Sequence, residues 1–471
     1  MTEHFNIAIL GSGPGGYVAA LKAGQMGARV AVVEKSHLGG TCLNNGCIPS
    51  KALLASAELI HHISHASELG VEVLPISFRW DKIQARKDDV IRTLRGGIKA
   101  LFGARKVTLF QGHAALNGLG KVVVRAEGKP AQEITADTVI VATGSVPARI
   151  PGWPADPALV STSDDSLHWK TLPKKLLIVG GGVIGCEFAC MLQPLGVEVV
   201  IVEMLPRLLP FLDASLGEAM QKIFAKRGIA CHVGTKIESL EAAGAGLRAK
   251  LSGGQTIESD RALVATGRKP ATADLGLETV GLSTDRGFLR VNDRMETAVK
   301  GISCIGDANG RCLLAHAASA HGVAAVENAL GHGKDFTAPI PSAVYTFPEI
   351  GSVGLTAEEA KAKNLPVNTG HFPLSSLGKA MAVNDTAGFA KVVRHRETGE
   401  LLGVHMMGHN ATECIAAAGA LLHHKVGVRE MEEVVFAHPT IAESLKEAAG
   451  DALGMALHLP PKKIARVVAG A

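Results

Sequence analysis

One pattern of apolar and polar positions occurs twice in the chain. A short, nearly unbroken apolar run meets a glycine-rich turn, an apolar-faced stretch follows, and a second apolar run ends on a glutamate. Short apolar runs bounded by turn residues predict strands covered on both faces, and the stretch between them predicts a crossing helix. The first copy is Phe5-Asn-Ile-Ala-Ile-Leu, Gly11-Ser-Gly13-Pro-Gly-Gly16, a helix through Gln25, and a strand from Ala28 that stops at Glu34. The second is Leu176-Leu-Ile-Val, Gly180-Gly-Gly182-Val-Ile-Gly185, a helix, and a strand from Val197 that stops at Glu203. Strand-then-glycine signals also occur at Thr138–Gly144, Ala262–Gly267 and Gly301–Gly306, the last followed by Asp307. A proline-rich stretch from Pro339 to Pro348 marks a boundary, beyond which alternating strands and a helical tail from Thr440 predict an α+β end domain.

The glycines of each turn meet separate needs. Gly11 and Gly180 make the tight turn, Gly13 and Gly182 let the backbone approach a pyrophosphate, and Gly16 and Gly185 let helix pack on strand. The free amides of the helix N-terminus then face the phosphates. In both copies the acid stands 23 residues beyond the first glycine, where a carboxylate can accept ribose hydroxyls. One such turn is weak evidence; two on the same schedule imply two dinucleotide sites. Glu203 would repel a 2′-phosphate, which points to NAD in the second site, with Arg207 as a mild counter-argument. A flavin suits the first, because hydride chemistry must be converted into thiol chemistry.

Composition narrows the partners. A chain of 471 residues exceeds one hydrophobic core, so two or three domains are expected. The net charge of +4 and 4% aromatic content carry no basic, aromatic-interleaved surface for nucleic acid. The apolar runs are too short to span a membrane, and the first strand begins so early that no targeting segment is expected, which suggests the cytoplasm. Eight cysteines in such a chain are not a disulfide framework. Cys186, Cys190, Cys231, Cys304, Cys312 and Cys414 are expected to act as small hydrophobes. Cys42 and Cys47 differ: they bracket four residues in Gly39-Gly-Thr-Cys42-Leu-Asn-Asn-Gly-Cys47-Ile-Pro-Ser-Lys51, just beyond the first ribose-binding acid. Paired thiols beside a cofactor suggest electrons passing between sulfur and that cofactor.

These residues resemble the flavoprotein disulfide reductases, the class I pyridine nucleotide-disulfide oxidoreductases. The resemblance rests on Cys42-Leu-Asn-Asn-Gly-Cys47-Ile-Pro-Ser-Lys51, on Tyr345-Thr-Phe-Pro-Glu, and on Phe436-Ala-His438-Pro-Thr-Ile-Ala-Glu443, and runs essentially end to end. It is closest to the branch that oxidises dihydrolipoamide with NAD⁺. Asn45 departs from the small apolar residue common inside the cysteine loop. The segment Leu314–His321 departs too, lacking the usual lysine and acids, while leaving a flavin contact at Ala315. The family implies an α/β fold: two Rossmann-like domains for FAD and NAD plus a C-terminal α+β dimerisation domain. The expected division is 1–148 for the first part of the FAD domain, 149–272 for the NAD domain, 273–340 for the return to the FAD domain, and 341–471 for the interface.

The resemblance also assigns roles. Cys42 and Cys47 form a redox disulfide, Cys47 nearer the flavin and Cys42 exchanging with the substrate dithiol. Residues five apart in a regular helix lie ~8–9 Å apart, beyond the ~7 Å limit of a disulfide, so Gly46 is expected to distort the backbone and make the bridge readily reducible. His438 is the base, since an imidazole titrates near neutrality, and Glu443 orients it. Lys51 and Glu187 pair beside the flavin, and Asp307 accepts a ribityl hydroxyl, although a cap or turn role would ordinarily be favoured. Ala114, Gly144, Ile237 and Gly267 complete the cofactor-binding residues. The implied partners are a second copy of the chain, forming a homodimer, and the lipoyl-bearing protein of a 2-oxoacid dehydrogenase or glycine-cleavage system.

Three rivals remain open. A glutathione- or mercuric-reductase-like enzyme would use NADPH, but the chain ends without a second cysteine pair and has only Arg207 near Glu203. A redox-sensing flavoprotein would not need His438 and Glu443, and an NADH:quinone oxidoreductase would not need the cysteines. His61, His62 and His65 are read as a solvated helix face, His405 and His409 as packing or surface residues, and the basic stretch Leu459–Arg466 as a flexible terminus.

Overall fold

The computed structural model describes residues 2–333 and 335–460. The chain separates into two compact units, each assembled from distant segments. The first gathers residues 1–56, 77–172 and 261–337. Its sheet is parallel in the order Thr108–Gln111, Val30–Glu34, Glu3–Leu10, Gln132–Val141. On its edge away from Glu3–Leu10, the ten-residue strand Gln132–Val141 serves two further neighbours: its first half pairs antiparallel with Lys121–Arg125, and its second half pairs parallel with Ile302–Cys304. That pairing, late in the sequence, brings Asp307 to the end of the sheet.

Both faces of this sheet are covered, which is why its strands read as unbroken apolar runs. Ile7, Ile9, Val30 and Val32 face a core with the alanines of helix Pro14–Gln25 and with Ala325 and Val326 of helix Ala315–Ala329. Their neighbours Ala8, Leu10, Ala31 and Val33 face a second core with Val122, Val124, Leu275 and Leu289. Small residues let the two helices close on each other: a methyl on Gly322 would lie 2.6 Å from the Gly15 carbonyl oxygen.

The second unit contains residues 57–76, 173–260 and 338 onward. Lys175–Val179, Glu198–Val202 and Ala230–His232 form parallel strands, and Ile237–Ala243, Gly246–Leu251 and Thr256–Ser259 an antiparallel meander. The C-terminal part is a five-stranded antiparallel sheet ordered Ser342–Val344, Glu349–Gly354, Leu401–Gly408, Phe389–His395, Val367–Pro373. Helices Ala411–His423 and Glu443–Ala452 pack on it around Val392, Val404, Met406 and Leu445. Asp213 binds this region together: it caps helix Ala214–Lys226 and accepts both Lys391 Nζ, at 2.7 Å and 2.8 Å, and the Ala357 amide. Burial alone would raise its carboxyl, but Lys391 and Ser215 hold it at about 2.

The histidine readings divide. His62 and His65 are exposed, but His61 is half-buried, stacked on Phe347 at 5.6 Å, and lowered to about 4 by burial and by Arg227. His61 is therefore a packing residue rather than part of a solvated face. His405 is fully buried between Ser352 and the Leu355 carbonyl, and His409 pairs with Asp385. Residues 461–466 of the basic terminal stretch lie outside the described residues. Among the described residues no helix is long and apolar enough to cross a membrane, and no group of His, Cys, Asp and Glu is placed to hold a metal.

Candidate active site

The two glycine turns are built alike. Gly11 and Gly180 adopt φ of 103° and 108°, the left-handed region that favours glycine. A methyl on Gly16 would sit 2.0 Å from the Gly11 carbonyl oxygen, and one on Gly185 2.0 Å from that of Gly180. Gly13 and Gly182 are N-caps without a side-chain cap, so the first-turn amides stay available for phosphate. Around Gly182 nothing lies within 4 Å of the added methyl position, and the same position on Gly13 meets only Gly40, at 3.9 Å.

Both acids brace their own turns. Glu34 accepts Ser12 N (2.9 Å), Ser12 Oγ (2.7 Å) and Ser36 N (2.8 Å), while Glu203 accepts Gly181 N (2.6 Å) and Leu205 N (2.7 Å). Carboxylate oxygens hold further lone pairs, so this bracing is compatible with ribose hydroxyls. The Arg207 counter-argument weakens: its guanidinium donates to the Pro210 carbonyl, and the residues just after Glu203 are the exposed Met204 and Leu205.

The cysteine segment packs directly on the first turn. Gly39 N donates to Ser12 O at 2.9 Å, and a methyl on Gly40 would lie 2.5 Å from Gly13 Cα. Helix Gly40–Asn45 carries Cys42, and Cys47 opens helix Cys47–Ser64. Between them Gly46 leaves helical geometry, with φ −151° and ψ −116°. The break folds the two sulfurs together. The hydrogen bond to Cys47, with burial, pushes the Cys42 thiol far above its ordinary range, Lys51 pulling the other way. Cys47 stands at the N-terminus of its helix, where the dipole favours negative charge. Tyr17 is raised by burial and by Cys42.

Asp307 does not cap a helix; it accepts the Ser145 hydroxyl. Arg268 donates to Ser145 Oγ at 2.7 Å and to Ser145 O at 2.9 Å, and reaches Thr41 Oγ1 at 3.5 Å and Asp164 at 3.7 Å. Sequence reading passed over Ser145, Arg268 and Tyr17. Arg268 follows a recognised strand-and-glycine signal, but nothing in the pattern discloses its partners. Ala315 opens its helix, Ala114 is buried in strand His113–Leu116, Gly144 and Gly267 follow strands with positive φ, and Ile237 opens its strand.

In the second unit Glu187 is buried on helix Val183–Leu192 and accepts the Tyr345 amide at 3.0 Å. His438 and Glu443 meet: His438 Nδ1 lies 2.9 Å from Glu443 Oε1, and the Thr440 amide donates to Oε2 at 2.8 Å. Burial alone would raise the Glu443 carboxyl, but the Thr440 amide and His438 hold it below its ordinary range. With Nδ1 engaged, Nε2 is left to exchange protons, and the His438 side chain is 78% exposed.

Comparison with known proteins bears on this arrangement. Residues 5–322 match the model of the pyridine nucleotide-disulphide oxidoreductases, and residues 340–449 match that family's dimerisation domain. The chain is 38% identical to a dihydrolipoyl dehydrogenase of Bacillus subtilis (strain 168), covering 97% of this chain and 100% of that protein. It is 39% identical to one of Chlamydia pneumoniae, over 98% and 100% of the two chains. Among solved structures, LpdA from Mycobacterium tuberculosis superposes with a TM-score of 0.88 at 30% identity, over 95% of this chain and 99% of that one. The Cu(II) complex of the flavoprotein disulfide reductase RclA from Escherichia coli does so with a TM-score of 0.85 at 26% identity, over 96% and 99%.

Proposed function

The chain belongs to the pyridine nucleotide-disulphide oxidoreductase family, and from that membership we propose that it oxidises protein-bound dihydrolipoamide to lipoamide with NAD⁺. It is an oxidoreductase that uses FAD and NAD. One observation carries the thiol chemistry: Cys42 and Cys47 share a hydrogen bond on a segment packed against the glycine turn of the first nucleotide unit. The fit for FAD rests on the uncapped helix at Gly13, the bracing of Glu34, and the remaining lone pairs of Asp307. Bound there, the flavin supplies a two-electron carrier between the thiols and the nicotinamide.

The protein's own residues handle sulfur and protons. In the oxidised pair, one sulfur of the dithiol attacks Cys42, breaking the Cys42–Cys47 bond and releasing Cys47 as thiolate. The second substrate sulfur then displaces Cys42, closing the lipoamide ring. Each attacking thiol must first lose its proton, and His438 Nε2 takes it while Glu443 holds the ring and stabilises the imidazolium. Lys51 lowers the cost of negative charge beside Cys42, as its pull on that thiol supports. Glu203, with Met204 and Leu205 in place of cations, favours NAD⁺ over NADP⁺. Two copies of the chain form the working enzyme, with His438 of the partner subunit completing each site. The expected domain division, 1–148, 149–272, 273–340 and 341–471, belongs to the same reading. Eight cysteines in a chain of this length, which are no disulfide framework, suit a reducing compartment, the cytosol.

The test is stoichiometric. Under anaerobic conditions NADH should convert Cys42 and Cys47 from an unalkylatable bridge to two alkylatable thiols. Dihydrolipoamide with NAD⁺ should yield NADH one for one. Cys47→Ser should abolish that turnover, and His438→Gln should lower it at least 100-fold with flavin still bound. Full turnover in either variant refutes the scheme, and preference for glutathione disulfide with NADPH would replace the substrate.

A further inference from the structure

Two adjacent asparagines fasten the helix that carries Cys42 to one long helix, Trp80–Ala104. Asn44 accepts Arg95 Nε at 2.6 Å and donates to Leu38 O at 3.0 Å and Gly40 O at 2.7 Å. Asn45 reaches a different anchor. Its Oδ1 lies 3.1 Å from His168 Nε2, and His168 Nδ1 lies 3.2 Å from Lys87 Nζ. Lys87 is only 1% exposed, and its ammonium also donates to Leu167 O at 2.9 Å and Gln84 Oε1 at 2.6 Å and faces Asp88 at 3.1 Å.

The partners settle the direction of this chain of hydrogen bonds. An ammonium can only donate, so His168 Nδ1 accepts and the ring proton sits on Nε2, which donates to Asn45 Oδ1. A second ring proton would point at Lys87. Burial first, and then Lys87, lower the His168 imidazole, so it stays neutral. A buried cation is thereby connected, through one oriented imidazole, to the residue that precedes the Gly46 break.

We propose that Asn45, His168 and Lys87 set the disulfide–dithiol equilibrium of Cys42 and Cys47, with His168 as a positioning residue. The inference rests on the reading of that pair as the redox centre. Closing the bridge forms one S–S bond and releases two electrons and two protons, which an external disulfide takes up as it becomes a dithiol. How far closure is favoured depends on the effective concentration of one sulfur at the other. Asn44 pins the base of the Cys42 helix, whereas Asn45 acts at the hinge, where freedom would separate the sulfurs. Releasing it therefore favours the dithiol.

The experiment is a redox titration of the flavin-loaded protein in mixtures of reduced and oxidised dithiothreitol. Cys42 and Cys47 are counted by alkylation and mass spectrometry. Asn45→Leu and His168→Leu should shift the equilibrium toward the dithiol about fivefold, which is about 20 mV at 29.6 mV per tenfold. His168→Gln should stay at the wild-type value, because its amide can accept from Lys87 and donate to Asn45 at once. A general loss of packing would move both His168 variants alike. Equal shifts in His168→Leu and His168→Gln, or none in any variant, overturn the proposal and leave the redox reading intact. If Cys42 and Cys47 do not exchange with the couple at all, the redox reading falls and this inference with it.

Discussion

His321 lies on helix Ala315–Ala329 with 1% of its surface exposed, and neither ring nitrogen has a hydrogen-bond partner among the described residues. The Phe336 ring meets it edge-on at 5.2 Å. Burial first, and Arg311 second, lower the imidazole to about 4. An unfolded chain binds that proton at about 6.5, so between these values the unfolded state holds more protons than the folded one. Stability is therefore intact above about pH 6.5 and falls as pH drops toward 4, by about 3 kcal/mol in all. His321→Leu removes both the proton site and two unsatisfied polar atoms. Urea melts at pH 7.5 and 4.5 should show wild type losing more stability than the variant, with the variant no weaker at pH 7.5. Parallel losses in the two proteins would show that His321 is solvated.

At the scale of elements, the two glycine turns separate what folding needs from what the ligand needs. Gly185 has no room for a methyl, which would meet the Gly180 carbonyl oxygen at 2.0 Å, whereas Gly182 faces open space. Gly185→Ala should lower the melting temperature by several degrees or prevent folding, as a buried clash of this kind costs on the order of 1–3 kcal/mol. Gly182→Ala should melt within about a degree of wild type yet raise the KM for NAD⁺ at least tenfold, because its methyl stands where the pyrophosphate approaches. Unchanged KM in Gly182→Ala would remove this turn from the nucleotide site. Both turns were legible because each glycine and each acid stands at a fixed offset in one continuous stretch. Gly46 was legible for a related reason: two thiols five residues apart cannot meet on an unbroken helix. Arg268, Ser145 and His168 were not, because their partners lie in segments 81 to 162 or more residues away and no local pattern encodes that meeting. The long helix Trp80–Ala104 escaped too; its polar face reads as surface until Lys87 and Arg95 are seen holding the cysteine segment.

For the whole molecule, the thiols and the His438–Glu443 pair belong to different compact units, and the family match ends in a dimerisation domain. The segment around His438 presents apolar side chains outward. Val435 is 91% exposed three residues before it, and Leu457 is 81% exposed beside His458, which hydrogen-bonds Glu447 one turn beyond Glu443. Large exposed aliphatics grouped near functional polar residues mark a surface that another protein covers, and a second copy of this chain fits the matched domain. Val435→Asp places an uncompensated charge in that contact. Sedimentation should then show a lighter, monomeric species that still binds flavin and keeps its circular dichroism, and dihydrolipoamide-dependent NADH formation should fall with the dimer fraction. Restoring the dimer by raising the protein concentration should restore turnover in proportion. A monomeric variant with full turnover would mean that each chain's site is complete by itself, and His438 would then have to serve the cysteines of its own chain.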